Sequence, residues 1–322
     1  MRQLAMVMDL NKCLGCQTCT AACKTQWTNR AGREYMYWNN VETQPGSGYP
    51  KGYMNYEAGW DGKGNLKKGE IPPIPEDYGI PWEYNYKELM DGSAKTLRPD
   101  SENTWSANWD EDVGDGEYPN SYFFYLPRIC NHCTKPACLA ACPNKAIRKR
   151  EEDGIVLVDL KLCKGAMECI KACPYKKVYF NLDIGQTEKC IFCFPRIEKG
   201  LPPACAKQCV GRIRHVGYLD DEEGHVYKLV KKWKVAIPLR PDFGTLPNVY
   251  YVPPLSPPKF NEKGEVTDEP RIPMEFLKRL FGKEVENALA TLKSEMGKKE
   301  KGEKSELMDT LIAYKHGEMF RI

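Results

Sequence analysis

The chain has 322 residues, room for two domains, with 42% hydrophobic residues and a mean hydropathy of −0.58. Its formal net charge is only +3 with the two signs interspersed, which gives no nucleic-acid footprint and reads as a solvated surface. Fifteen cysteines is an odd number, so a full set of internal disulfides is excluded, and the chain is too long for a small stapled scaffold.

The N-terminal segment MRQLAMVMDLNKC lacks the apolar region and small-residue cleavage site of a signal peptide. It is read as a strand, Met1 to Leu10, entering a first cysteine loop. No window approaches the roughly 18 apolar residues of a membrane span. Cys13, Cys16, Cys19 and Cys23 follow, spaced C-x2-C-x2-C-x3-C. Residues 45–119 are rich in Gly, Pro, Asn, Asp and Trp, with little periodicity. They form a loop-rich insertion that either serves a partner or merely covers the cysteine loops.

Ser121 to Leu126 reads as a second strand, ahead of Cys130, Cys133, Cys138 and Cys142, spaced C-x2-C-x4-C-x3-C. Gly154 to Leu160 reads as a third, ahead of Cys163, Cys169 and Cys173. A fourth motif holds Cys190, Cys193, Cys205 and Cys209, spaced C-x2-C-x11-C-x3-C. Pro253 to Pro258 is an extended linker. Pro273 to Gly282, Glu284 to Met296 and Ser305 to Tyr314 are predicted helices, the last with Leu307, Met308, Leu311 and Ile312 on one face. Such a tail wraps a partner or packs back on its own core.

The recurring unit of strand, cysteine loop, short helix and return strand is that of a bacterial-type ferredoxin, present twice. The expected class is α+β. Residues 1–44 and 175–252 make a first module from the first and fourth motifs, and 120–174 a second from the other two. Residues 253–322 are a linker and helical tail that docks on partner subunits.

The spacing has a chemical reason. Thiolates two residues apart on a tight loop reach successive iron corners of one cubane, and loop N–H groups face its sulfides. The last cysteine lies a helical turn further on and ligates the other cluster. The rule pairs the motifs crosswise. Cys13, Cys16, Cys19 and Cys209 make a first set, and Cys23, Cys190, Cys193 and Cys205 a second. Cys130, Cys133, Cys138 and Cys173 make a third set.

The fourth has Cys142, Cys163 and Cys169, with Ala166 where a fourth ligand belongs. Three ligands imply a 3Fe–4S cluster, with a water- or hydroxide-bound fourth iron as the alternative. The other three sets imply 4Fe–4S clusters, and no cysteine is left over. Zinc on paired C-x2-C motifs is the competing metal, but a C-x2-C-x2-C-x3-C run is a cluster spacing.

His132 sits between two cysteines, as an ordinary loop residue or one that tunes a cluster. Lys24, Lys135 and Lys164 are surface lysines or offset cluster charge. Trp27, Tyr37 and Trp38 shield a cluster from water or are plain core. His132, His215, His225 and His316 are scattered, and no catalytic constellation, G-x-G-x-x-G or P-loop is legible. The chain therefore reads as an electron conductor with no catalytic site of its own.

Four stretches carry a family resemblance: DLNKCLGCQTCTAACK, WNNVETQPGSGYP, YLPRICNHCTKPACLAACPNKAI and KCIFCFPRIEKGLPPACAKQCVGR, with GEKSELMDTLI in the tail. They resemble the iron–sulfur beta subunits of dimethyl sulfoxide reductase superfamily molybdenum enzymes. The likeness is to the nitrate, perchlorate/chlorate and selenate reductase, dimethylsulfide dehydrogenase and ethylbenzene dehydrogenase group. The resemblance implies three 4Fe–4S clusters and one 3Fe–4S cluster. It also implies a large catalytic subunit holding molybdenum on a bis-pterin guanine dinucleotide cofactor, near the first set, and a haem b subunit near the fourth. It further implies a periplasmic home reached by co-export with the catalytic subunit, the cytoplasmic face of the membrane being the alternative. A free-standing polyferredoxin is the other functional reading.

Overall fold

The computed structural model describes residues 2–79, 84–99 and 114–322. Leu4–Asp9 is buried along its whole length, as an apolar strand needs when both faces are covered. It lies inside a five-stranded sheet in the spatial order Ile237–Pro238, Val249–Val252, Leu4–Asp9, Arg214–Tyr218, Phe320–Arg321. Leu4–Asp9 runs antiparallel to Arg214–Tyr218 and parallel to Val249–Val252. The first cysteine loop, which leaves one strand, thereby meets the fourth motif, which enters its neighbour.

Asn39–Gln44 pairs antiparallel with Phe124–Ile129, so the long insertion leaves and returns at one place. This pairing also moves the second strand from the expected Ser121–Leu126 to Phe124–Ile129, because Asn39 faces Ile129 and Gln44 faces Phe124. The third shortens to Val156–Val158, paired with Ile147–Lys149. A further hairpin joins Val178–Asn181 to Gln186–Lys189. Four short helices, Thr18–Cys23, Ala137–Ala141, Glu168–Ala172 and Ala204–Lys207, carry Cys19 with Cys23, Cys138, Cys169 and Cys205 in turn. The first packs on the last, and the middle two on each other.

The insertion holds a two-stranded ribbon, Gly59–Trp60 with Leu66–Lys67, and a short helix Tyr86–Met90. Its parts at 80–83 and 100–113, like Met1 of the first strand, lie outside the described residues. The ribbon is tied down where Trp60 Nε1 donates to the Lys135 carbonyl at 3.0 Å. At the insertion's root Arg128 is buried and paired with Glu42 at 2.9 Å. An ion pair so deep holds position more than it adds stability.

The tail helices Met274–Phe281, Val285–Glu300 and Glu306–Ile312 bury Leu277, Leu280, Phe281, Leu292, Leu307 and Leu311 in the core that backs the main sheet. The tail's apolar face is thus spent on the chain's own core. Ile312 departs from expectation: it is 41% exposed, because the helix ends there and Ala313 turns the chain with φ of 55°. The hairpin Pro258–Phe260 with Val266–Pro270, and the edge strand Phe320–Arg321, were not anticipated. Both are short.

Candidate metal centres

Cys130, Cys133, Cys138 and Cys173 line one cavity, together with His132, Tyr175 and Thr245. Cys23, Cys190, Cys193 and Cys205 line another, together with Trp27, Trp38, Phe192 and Met6. In each cavity three cysteines come from one motif and the fourth from a distant one. Cys13 lies within electrostatic reach of Cys19 and Cys209, and Cys169 of Cys142 and Cys163. Cys16 is exposed on the rim of the first loop. Among the described residues, which include all the cysteines, no three His, Cys, Asp or Glu side chains converge as a single metal ion requires.

The walls fit a sulfide-bearing group. His132 Nδ1 accepts the Val156 N–H at 3.1 Å, which leaves the proton on Nε2. That Nε2 is buried and finds no partner among the described residues. Trp38 Nε1–H, in the other cavity, is likewise buried and unpartnered among them. Trp27 Nε1 donates to Cys193 Sγ at 3.1 Å. Buried donors in want of acceptors suit the electron-rich surface of an iron–sulfur cluster.

The loops at the two ends of the chain of sets share one geometry. Asp9 Oδ1 accepts the Asn11 N–H at 3.0 Å, and Asp159 Oδ1 the Lys161 N–H at 2.9 Å. Gly15 and Gly165 take φ of 65° and 69°, and Gln17 and Met167 take 56° and 57°. A helix then starts at Thr18 in one and Glu168 in the other. Ala166 therefore occupies the place of Cys16, and both are exposed. The two middle motifs correspond as well: His132 and Phe192 both have positive φ, and their rings meet edge to face at 5.1 Å.

Cysteines assigned to neighbouring sets lie near one another. Cys205 of the second set is within reach of Cys19 and Cys209 of the first, and Cys190 of the second within reach of Cys130 of the third. Cys138 and Cys173 share one apolar cluster with Cys169 and Cys142 of the fourth.

Burial is the largest influence on those thiols whose acidity shifts. Burial pushes Cys13 and Cys169 up to about 11 and Cys133 and Cys205 up to about 12. Cys163 is the exception: burial raises it, but the Thr187 hydroxyl and amide and the Gly165 amide outweigh that and lower it. Thiols held so high are neutral at physiological pH, so binding iron as thiolates releases protons, and acid opposes loading.

Of the lysines singled out by position, Lys24 is committed to the Arg33 and Glu34 carbonyls, and Lys135 lies 4.1 Å from the Trp60 ring centroid. Lys164 is exposed and close enough to lower Cys163. Trp27 and Trp38 wall the second cavity, while Tyr37 packs on Tyr49. The histidines are less scattered than their spacing suggests: His215 and His225 meet Nδ1 to Nδ1 at 2.9 Å. Sequence reading missed Arg214, Lys177 and Lys189, all buried, and Thr187, whose hydroxyl is 3.5 Å from both Cys163 and Cys169 sulfurs. Lys189 could have been noticed from its place directly beside Cys190.

Residues 121–219 match the family described as a 4Fe–4S dicluster domain. Over its full length the chain is 66% identical to the dimethylsulfide dehydrogenase beta subunit of Rhodovulum sulfidophilum, of which 99% is covered. It is 59% identical to the selenate reductase beta subunit of Thauera selenatis, with 100% of this chain and 99% of the relative covered. The chlorate reductase beta subunit of Ideonella dechloratans is 58% identical, with the same coverage. With an α+β fold that gathers its cysteines into sets, the chain belongs to the iron–sulfur beta subunits of dimethyl sulfoxide reductase superfamily molybdenum enzymes, the electron-transfer subunits of oxidoreductase complexes.

Proposed function

We propose that the chain relays electrons through three 4Fe–4S clusters and one 3Fe–4S cluster, held by the four cysteine sets in two ferredoxin-like modules. The observation that carries this reading is the crosswise lining of the cavities, Cys173 joining Cys130, Cys133 and Cys138, and Cys23 joining Cys190, Cys193 and Cys205. When bound, such clusters supply one-electron transfer. The chain's own residues present sulfur, aim N–H donors from His132 and Trp38, and exclude water with Trp27, Phe192 and Tyr175.

The ends of the series suit two partners. At the first loop Leu14 is 64% exposed beside exposed Cys16, which supports docking of a molybdenum catalytic subunit there. At the other end Leu160, Leu162, Leu182 and Ile184 are exposed around the Cys163 loop. Gln186 Nε2 joins these segments through the Leu160 and Cys163 carbonyls at 2.6 and 3.1 Å. That patch supports docking of a haem b or other carrier subunit. The exposed outer surface of the tail is the further contact we assign to partner subunits. Among the described residues no helix is long and apolar enough to cross a membrane. The home we assign is periplasmic, by export together with the catalytic subunit.

Anaerobic purification of the chain with its copurifying subunits, followed by iron and molybdenum determination and EPR, tests this. Molybdenum with a large subunit and an oxidised three-iron signal is the expected result. A chain that purifies alone with iron but no molybdenum would favour the free polyferredoxin.

A further inference from the structure

Arg214 is fully buried on the strand antiparallel to the first. Its Nη2 donates to Cys19 Sγ at 3.2 Å and to Asn39 Oδ1 at 2.8 Å. Nη1 points to Met6 Sδ at 3.7 Å, and Nε finds no partner among the described residues. Asn39 is itself oriented by donating to Thr20 Oγ1 at 3.2 Å, and Thr20 donates to Gln17 Oε1 at 2.7 Å. The groups that chiefly face the guanidinium are cysteine sulfurs, which are thiolates once they bind iron: Cys19 of the first set, Cys205 of the second, then Cys209 and Cys13 of the first.

A guanidinium does not give up its proton, and burying one without a counter-charge is prohibitively costly. Here the counter-charge belongs to two sets at once. We infer that Arg214 is the shared counter-cation of the first and second clusters and holds both at a higher reduction potential than their thiolates alone would set. The inference rests on the ligand sets proposed above. Reduction adds one negative charge to a cluster. A fixed cation at hydrogen-bond distance from a ligand sulfur stabilises that form, and low surrounding polarity magnifies the effect. Arg214 acts through the sulfurs and is a positioning residue. Lysine would keep the charge but lose the planar fork that sets Nη2 on Cys19 and Asn39 while Nη1 faces Met6.

The test is an EPR-monitored redox titration of the purified complex, with iron determination, for the wild type, Arg214→Gln and Arg214→Lys. With iron retained, Arg214→Gln should move two of this chain's transitions together to more negative potential and leave the other two in place. Arg214→Lys should move the same two by less. Unmoved transitions, movement of one alone, or an equal shift of all four would overturn the inference. A wild type that lacks the first or second cluster would instead overturn the ligand sets. Should the glutamine variant lose its clusters, pulsed EPR of wild-type complex carrying isotope-labelled arginine replaces it. An arginine nitrogen coupled to the first reduced cluster is then expected, and no coupling overturns the inference.

Discussion

In the Cys13–Cys23 loop and again in the Cys163–Cys173 loop, an aspartate closes a turn, a glycine and its second neighbour take positive φ, and a short helix begins. What differs is the side chain on the rim, Cys16 in one and Ala166 in the other. Backbone shape is thus kept while the number of sulfurs on the loop changes. On the ligand sets proposed above, the cluster type at each end turns on that one residue and not on the fold.

The comparison is broken most completely by exchanging that residue. Ala166→Cys places a fourth sulfur on a loop already shaped for one, and we expect the oxidised three-iron EPR signal to vanish in favour of a fourth 4Fe–4S cluster. Cys16→Ala should do the reverse at the other end and raise a second three-iron signal. If Ala166→Cys keeps its iron and an unchanged three-iron signal, residue 166 does not sit at the open corner.

Substituting the loop glycines sharpens the comparison at the next scale. Positive φ penalises any Cβ at either position, by about 1 kcal/mol. At Gly165 an added Cβ would stand 2.4 Å from the Gly185 carbonyl oxygen, which is backbone, whereas at Gly15 it would meet the Tyr125 ring at 2.5 Å. A ring can swing and a backbone turn cannot move as cheaply. Gly165→Ala should therefore lose more of its cluster than Gly15→Ala, read as iron per chain and EPR spin; equal losses would show that both loops yield alike.

Smaller effects separate the interior from the ends. Trp38→Phe removes an unpartnered donor from the second cavity at a stability change within about 1 kcal/mol. It should shift that one transition negative, and a titration in which it stays put would mean that Trp38 is packing alone. Thr187→Val takes the hydroxyl from Cys163 and Cys169 and should give the smallest shift, again negative, confined to the fourth cluster.

The cysteine sets could be proposed from the sequence because their chemistry is local. Two-residue gaps dictate a tight loop, and a fourth cysteine one helical turn on must face elsewhere, so Cys173 and Cys23 could be paired across the chain before any fold was known. The residues around the sulfurs were not legible, because their contacts are long-range. Arg214 and Cys19 are 195 positions apart, and nothing near either announces the other. The same holds for Thr187, which reaches Cys163 and Cys169 only because the Val178–Asn181 and Gln186–Lys189 hairpin turns back.

Strand limits failed for a related reason: Phe124–Ile129 is positioned by its partner Asn39–Gln44, not by its own alternation. The tail could be read as helical from its period, but the docking on partner subunits expected of it does not follow from that period. Its apolar stripe is the same whether it meets another subunit or, as found, Leu277 and Leu307 join the chain's own core.

The most direct test of the four-cluster account is spin quantitation of the three-iron EPR signal in the air-oxidised complex, measured per beta chain. One spin per chain, lost on Ala166→Cys, is the result expected. No three-iron signal in a preparation with its full iron would contradict the assignment of three irons to Cys142, Cys163 and Cys169.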